Sequence, residues 1–529
     1  MKKSFIFSFC LFLSLLGCKQ LEVKPPFEIP VEDAFNNVND LEVMVNGCYQ
    51  ALQSPNCYGA AYKMIPDIFS DFVTVSNQAL AKGNTGSTSL FNVYQRQTFG
   101  STDGVWRDSY SCINRCNQVI DAILTGKVKD KTGAYQINAD RILGEAYGLR
   151  ALMHFDLQRL YAHQYGINEN QANSGVLLMT EPTTGRVAKA RATTAQVFAQ
   201  IESDLKEAVR LLPESKRPED IFTYGGREGG RLTKFAALAL LARVHYQKAT
   251  DADDDMALLY ADSVIRVSGF NIASDTGGVD FLVKSNFEIG ASTLFQVVNV
   301  YNAKTREINS TSKTLLDHYY YQDDEETRFP TVYQLNNRFR SGILGFNDAA
   351  GPGVVPDQRI EKGTVFSGGL RYTKKYQGDL IKSAMNVPII RMAEMYLIRA
   401  ELNVKKNTQQ AKNDLAAIRE NAYKVRVNGN LQISIPESLS RNSINQLEPD
   451  TLLKAIINER IIELNLEGDR LHHFKRVAKR YGFPEMAFLR SYDSRQRSIL
   501  RDVKFDDNAI LFQIPDAEIA ANPLVVRNP

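Results

Sequence analysis

Cys18 closes an apolar run from Phe5 to Leu16, behind Met1-Lys2-Lys3, and follows Leu15-Leu16-Gly17 directly. Its thiol is the side-chain group that can take a lipid thioether. Leu at minus three and Gly at minus one fit the lipid-box pattern. A positive head, about a dozen apolar residues and a small residue at the cut make an export signal, because a membrane span needs roughly 20 apolar residues. The spacing predicts a mature chain that starts at Cys18, carries lipid there and sits on a membrane face outside the cytoplasm.

Glu459, Glu463 and Glu467 stand at i, i+4 and i+8, on one face of a helix. Paired carboxylates are the acid and base of a glycosidase when they face each other about 5–9 Å apart across a sugar, commonly from separate elements. With Arg460, Arg470, Lys475 and Arg476 close by in sequence, the three glutamates read instead as an ion network closing the helix on its neighbour. Asp251, Asp253 and Asp255, with Asp262 at the twelfth position, look like the start of a calcium loop. Met256 takes the place of the required Gly, and position twelve is usually a bidentate Glu. Acidic capping of the next helix explains the cluster better. Gly225-Gly226-Arg227-Glu228-Gly229-Gly230 lacks the Gly-Lys-Ser/Thr of a phosphate loop and reads as a linker. His472 and His473 are adjacent, so on a helix they point about 100° apart and are poor co-ligands for one metal. They read as satisfied surface or core histidines. No Gly-x-Ser-x-Gly elbow and no His-Glu-x-x-His occurs. No catalytic residue, metal site or cofactor is expected.

The 529 residues are 44% hydrophobic and 23% charged, ordinary for a soluble globular chain. A net charge of +3 argues against nucleic acid, which needs a basic patch. Beyond Cys10 and Cys18, four cysteines remain: Cys48, Cys57, Cys112 and Cys116. An oxidising compartment permits bridges among them; four cysteines allow three pairings, and buried free thiols remain an equal alternative.

Residues 19–30, with Pro25, Pro26 and Pro30, read as an extended tether. Helical periodicity then dominates. Apolar stripes run over Asp140–Tyr161, Arg191–Pro213, Thr233–Ala249, Asp254–Val267, Ile390–Leu402, Thr408–Ala422 and Thr451–Leu466. Short turns between amphipathic helices mean antiparallel hairpins. Several hairpins with Ala-rich helices point to a mainly α, tetratricopeptide-like helical hairpin scaffold, unevenly spaced. Residues 271–387 have another texture, rich in Gly, Asn, Thr and Tyr, and read as a loop-rich, short-strand insertion. Recognition is usually placed on such loops.

Six strings, in order, give the chain a resemblance. They are Val105-Trp106-Arg107-Asp108-Ser109-Tyr110 with Ile113-Asn114-Arg115-Cys116-Asn117; Gly144 to Ala151 with Tyr161 and Tyr165-Gly166; and Arg191-Ala192-Thr193 with Val197, Ile201, Asp204 and Leu205. The others are Arg391 to Glu401; Asn458-Glu459-Arg460 with Glu463-Leu464, Glu467-Gly468 and Arg470; and Ile514 to Glu518 with Asn528-Pro529. The chain resembles the SusD/RagB family of surface lipoproteins from Bacteroidetes over essentially its whole length. It departs at His473, where an acidic residue is common, and in an ending without the usual Thr-Gln and Gly.

The resemblance implies a SusD-like helical scaffold tethered at the outer membrane, facing the exterior, without catalytic residues. It implies a capture subunit over a SusC-like TonB-dependent β-barrel transporter, binding an oligosaccharide or, alternatively, a peptide. A surface glycoside hydrolase is the remaining alternative. The expected division is leader 1–17, tether 18–30, N-terminal helical region 31–270, insertion 271–387 and C-terminal helical region 388–529. Sugar faces lie flat on exposed aromatic rings. Trp106, the single tryptophan, falls in a helix motif and is expected in the core. A platform must then use Tyr or Phe from residues 77–100 or from the insertion. Tyr94, Arg96 and Tyr301 are the named candidates, near Phe91 and Tyr319-Tyr320-Tyr321.

Overall fold

The computed structural model describes residues 35–70, 102–133, 135–214, 230–272, 292–299, 386–428, 430–482 and 498–529. Shorter pieces are described at 73–75, 93, 100, 301–302, 307–308, 333–335, 357–361, 364–367, 370–373, 375 and 486–492.

Local signals set the helix ends. Helix α1 (Val38–Leu52) starts on a capping box between Asn37 and Asp40. Helix α2 (Ala61–Phe69) holds Pro66 inside it and is buried at every residue. Helices α3 (Asp103–Leu124) and α4 (Tyr135–Tyr161) form the first long pair. Helix α5 (Thr194–Leu211) is capped by Thr193, whose hydroxyl accepts from the Gln196 backbone while the Gln196 side chain accepts from the Thr193 backbone. Helix α6 (Lys234–Lys248) ends at Ala249, which takes a left-handed φ of 57°. That residue and Thr250 turn the chain straight into α7 (Asp251–Val267). Helices α8 (Met392–Asn403) and α9 (Thr408–Ala422) form a hairpin, and α10 (Pro449–Glu463) and α11 (Arg470–Tyr481) follow.

From α3 to α9 each helix packs on the next in chain order. Helix α1 covers α3 and α4, α10 packs on α8 and α9, and α11 lies against α2 and α6. Fully buried Ala236, Ala237, Ala239 and Ala242 on α6 let its neighbours approach closely. One apolar core runs from Phe35 to Val525; a smaller cluster around Ala400, Leu415 and Ile456 sits beneath α9 and α10. Each fully buried Leu, Ile or Phe side chain stabilises it by about 1.5–3 kcal/mol. The end of the chain returns to this core: Asn528 donates to the carbonyls of Tyr161 and Phe512 at 2.7 Å each. Among the described residues no helix is long and apolar enough to cross a membrane.

The described strands pair two by two, all antiparallel. Thr293–Val297 pairs with Val387–Arg391, with Thr293 opposite Arg391 and Val297 opposite Val387. Both strands are buried throughout, so neither shows the alternation of a half-exposed strand. The structure corrects the expected helix start at Ile390: Ile390 and Arg391 end this strand, and α8 begins at Met392. Continuous apolar runs do not separate strand from helix by period. The acidic residues expected in a turn before Asp254 lie inside α7, whose cap is Thr250.

Candidate functional site

The three glutamates on α10 and just beyond it face charge, not a cleft. Glu459 accepts from Arg359 Nη1 and Arg419 Nε, both at 2.7 Å. Glu463 accepts from Arg391 at 3.0 Å and Arg359 at 3.1 Å. Glu467 accepts from Arg391 at 2.6 Å and Lys375 at 2.7 Å. Glu459 and Glu463 are buried, and the Glu467 side chain is 12% exposed. Burial alone would push their carboxyls up, but these cations hold each of them below the usual carboxylate range. A glycosidase acid needs the opposite shift. The network expected there is present, with partners spacing could not name. Arg460 instead pairs with Asp469 at 2.7 Å, Arg476 with Glu401 at 3.0 Å, and Lys475 donates to the Arg159 carbonyl at 2.9 Å.

The other family strings do similar work. Arg150 on α4 makes a two-pronged bond to Asp204 on α5, at 2.7 and 2.6 Å, and reaches Asn117 on α3 at 2.9 Å. Arg243 on α6 grips Glu394 on α8 at 2.8 and 2.6 Å. Trp106 is buried against Tyr110 and Tyr161, with ring centroids 4.8 and 4.9 Å away, and donates to Glu518 at 3.3 Å.

The remaining candidates are also internal. His472 and His473 are buried, and burial drives both far below the ordinary histidine range. They are core histidines as expected, but not fully satisfied ones: among the described residues His472 Nδ1 and both ring nitrogens of His473 have no partner. Asp253 lies in the first turn of α7, where its carboxylate accepts from the Thr250 hydroxyl at 2.6 Å and is bonded by His245 Nδ1 at 2.8 Å. Glu202, His245 and Asp253 are close enough to hold a metal ion. The Lys248 ammonium, 2.8 Å from Glu202 and 2.7 Å from Asp253, already supplies the positive charge there. Cys48, Cys57, Cys112 and Cys116 are free thiols and fully buried.

Cys18, Phe91, Tyr94, Arg96 and Tyr319 to Tyr321 lie outside the described residues, as does the Tyr301 side chain; the Tyr301 backbone pairs with Ile308. The roots of both loop segments are described. Val73–Val75, just before residues 77–100, pairs with Tyr333–Leu335 inside the insertion; Thr74 stands opposite Gln334. The two segments singled out for recognition are therefore joined by one antiparallel ladder. The Tyr301 strand is rooted nearby in chain: Gln53, just past the end of α1, donates to the Val298 carbonyl at 2.8 Å, and Asn386 accepts from the Asn299 backbone at 3.1 Å. Gly230, the last glycine of the expected linker, lies so close that a Cβ would sit 2.7 Å from the Val298 side chain. Sequence reading missed the 73–75 with 333–335 pairing, because each strand is three residues long and no local signal pairs segments so far apart.

A helical frame crossed by buried ion pairs, with Val73–Val75 laddered to Tyr333–Leu335, is built as a scaffold. Residues 19–246 match a family model described as starch-binding and associating with the outer membrane, and residues 356–529 match the SusD family model. The chain belongs to the SusD/RagB family of non-catalytic binding proteins. It is 24% identical over 255 residues to SusD-like protein P2 of Formosa agariphila, a match covering 47% of this chain and 45% of that relative's length. A SusD superfamily protein of Bacteroides thetaiotaomicron shares the fold at a TM-score of 0.71 and 21% identity, covering 93% of this chain and all of the other (100%). A SusD-like carbohydrate binding protein of Bacteroides vulgatus matches at 0.66 and 18%, covering 93% and 98%.

Proposed function

We propose that this protein is an outer-membrane lipoprotein, acylated on Cys18, that binds an oligosaccharide and passes it to a SusC-like TonB-dependent transporter. Residues 31–270 and 388–529 form the frame, and 271–387 form the recognition insertion. The ligand lies against residues 77–100 and the insertion, with Tyr94, Arg96 and Tyr301 as contacts. One observation carries this reading: the Val73–Val75 ladder with Tyr333–Leu335 ties the chain before residues 77–100 to the insertion. The starch-binding family model and the carbohydrate-binding relative support the ligand class. Lipid anchoring raises the effective concentration at the transporter, so a modest interface suffices.

A peptide ligand is the second reading. It is favoured by one fact: the only tryptophan is in the core, 3% exposed, and offers no sugar platform. Calorimetry with panels of oligosaccharides and peptides separates the two. Thr74→Pro puts a residue that paired strands tolerate poorly at the centre of the joining strand. We expect binding at least about tenfold weaker, or roughly 1.4 kcal/mol, with the urea midpoint of the frame unchanged. Full affinity in that variant, or heat from neither panel, would sink the reading. Mass spectrometry of the envelope protein checks the acyl group on Cys18.

A further inference from the structure

Lys63 on α2 is 4% exposed, yet among the described residues its ammonium has no hydrogen-bond acceptor and no ion-pair partner. The charges it feels are Glu467, Arg243, Glu394 and Arg391. Those four groups and Lys63 line one polar cavity between α2, α6, α8 and the chain after α10. Its volume is about 30 Å³, room for one or two water-sized occupants and far too little for a sugar ring.

The cavity is short of acceptors, not donors. Glu394 is occupied by Arg243 and Arg460, Glu467 by Arg391 and Lys375, and Asp469 by Arg460. The Tyr58 hydroxyl donates to Asp156 at 2.5 Å, and the Tyr62 hydroxyl is bonded to Ser109 at 2.6 Å. Arg159, which also lines the cavity, engages Asp156 through Nη2, but its Nε is buried with no acceptor. The Lys63 ammonium is thus left without a partner on one small space, with the incompletely bonded Arg159 guanidinium in its wall. A buried unpaired charge costs several kcal/mol, and water supplies no compensating charge.

We propose that this cavity is a binding site for a single halide-sized monovalent anion, held by the Lys63 ammonium and the Arg159 guanidinium. Lys63 stays largely protonated at neutral pH: burial lowers it, and Glu467 limits the fall to about 8. Neighbouring Asp67 is raised by burial to about 7, so it supplies only part of a counter-charge. Larger anions such as phosphate and sulfate are excluded by volume.

The test is anomalous diffraction from crystals of the full chain soaked in sodium bromide. A bromide peak within hydrogen-bond distance of Lys63 Nζ is expected. Thermal unfolding in bromide, against gluconate at equal ionic strength, should show a rise of about 2 °C that saturates with concentration. Lys63→Met should lose both the peak and the rise. Molar bromide that leaves the cavity without an anomalous peak overturns the proposal, even if the variant fails to fold. A peak that survives in Lys63→Met overturns it as well.

Discussion

Replacing Arg391 by methionine removes a buried guanidinium with four bonds. Three run to carboxylate oxygens, Glu467 at 3.0 and 2.6 Å and Glu463 at 3.0 Å, and one to the Glu463 carbonyl at 3.2 Å. Breaking one side of a buried pair costs about 3–5 kcal/mol, since the surviving charge is left without compensation. Lys375 still serves Glu467 and Arg359 still serves Glu463, which places the loss near the low end, about 3 kcal/mol. Urea unfolding followed by far-ultraviolet circular dichroism reads this directly. The sign with pH is also set. Burial raises the Glu463 and Glu467 carboxyls, but the cations, Arg391 foremost, hold both below the usual 4.5. A depressed carboxylate adds stability above its unfolded value, and that stability is lost as pH falls through the folded value. The variant gives up much of this contribution. Its deficit should be fullest at neutral pH and should shrink as pH drops below about 4.5. A loss under about 1 kcal/mol, or a deficit that does not change with pH, would refute the buried-network account.

Three further outcomes follow from burial and backbone geometry. Cys48, Cys57, Cys112 and Cys116 should stay unreactive to an aromatic disulfide reagent in the native protein and react once guanidinium unfolds it; rapid native labelling would contradict their burial. Trp106, packed between Tyr110 and Tyr161, should emit at short wavelength and resist acrylamide, and quenching like that of free tryptophan would disprove it. Gly468 has φ +79°, and a Cβ there would lie 2.3 Å from the Tyr62 carbonyl oxygen. Gly468→Ala should therefore cost about 3 kcal/mol or more, and a thermal midpoint equal to wild type would show that α2 can shift freely.

What was legible in the chain follows from the range of the forces involved. Apolar stripes are local, so the limits Thr408–Ala422 were readable from sequence. Helix α2 was not, because it is buried all round and leaves no stripe, and Pro66 reads as a break. Helix α11 was hidden by composition. Arg-Leu-His-His-Phe-Lys-Arg looks like a solvated surface, yet Leu471 through Ala478 are buried. Their partners come from elsewhere in the chain: Arg476 bonds Glu401, and Lys475 bonds the Arg159 carbonyl. No spacing rule reaches that far. The carboxylate face of α10 was read correctly as structural, while its main cations, Arg359, Lys375 and Arg391, lie in or beside the insertion.

That last placement connects stability to binding. Arg391 ends the strand that closes the base of the insertion, opposite Thr293, and stands immediately before the first residue of α8. Its guanidinium is held by Glu463 at the end of α10 and by Glu467 just beyond. Arg359 and Lys375, from within the insertion, converge on the same glutamates. An apolar cluster of equal volume could be as stable, but it would set no particular register where the chain leaves the frame. Several bonds of fixed direction from one guanidinium do set it. On the proposed reading, the buried charges are placed to aim the insertion. Arg391→Lys, which keeps the charge and loses the fork, should weaken ligand binding more than it lowers the urea midpoint. Equal losses in both would reduce the network to a stabiliser alone.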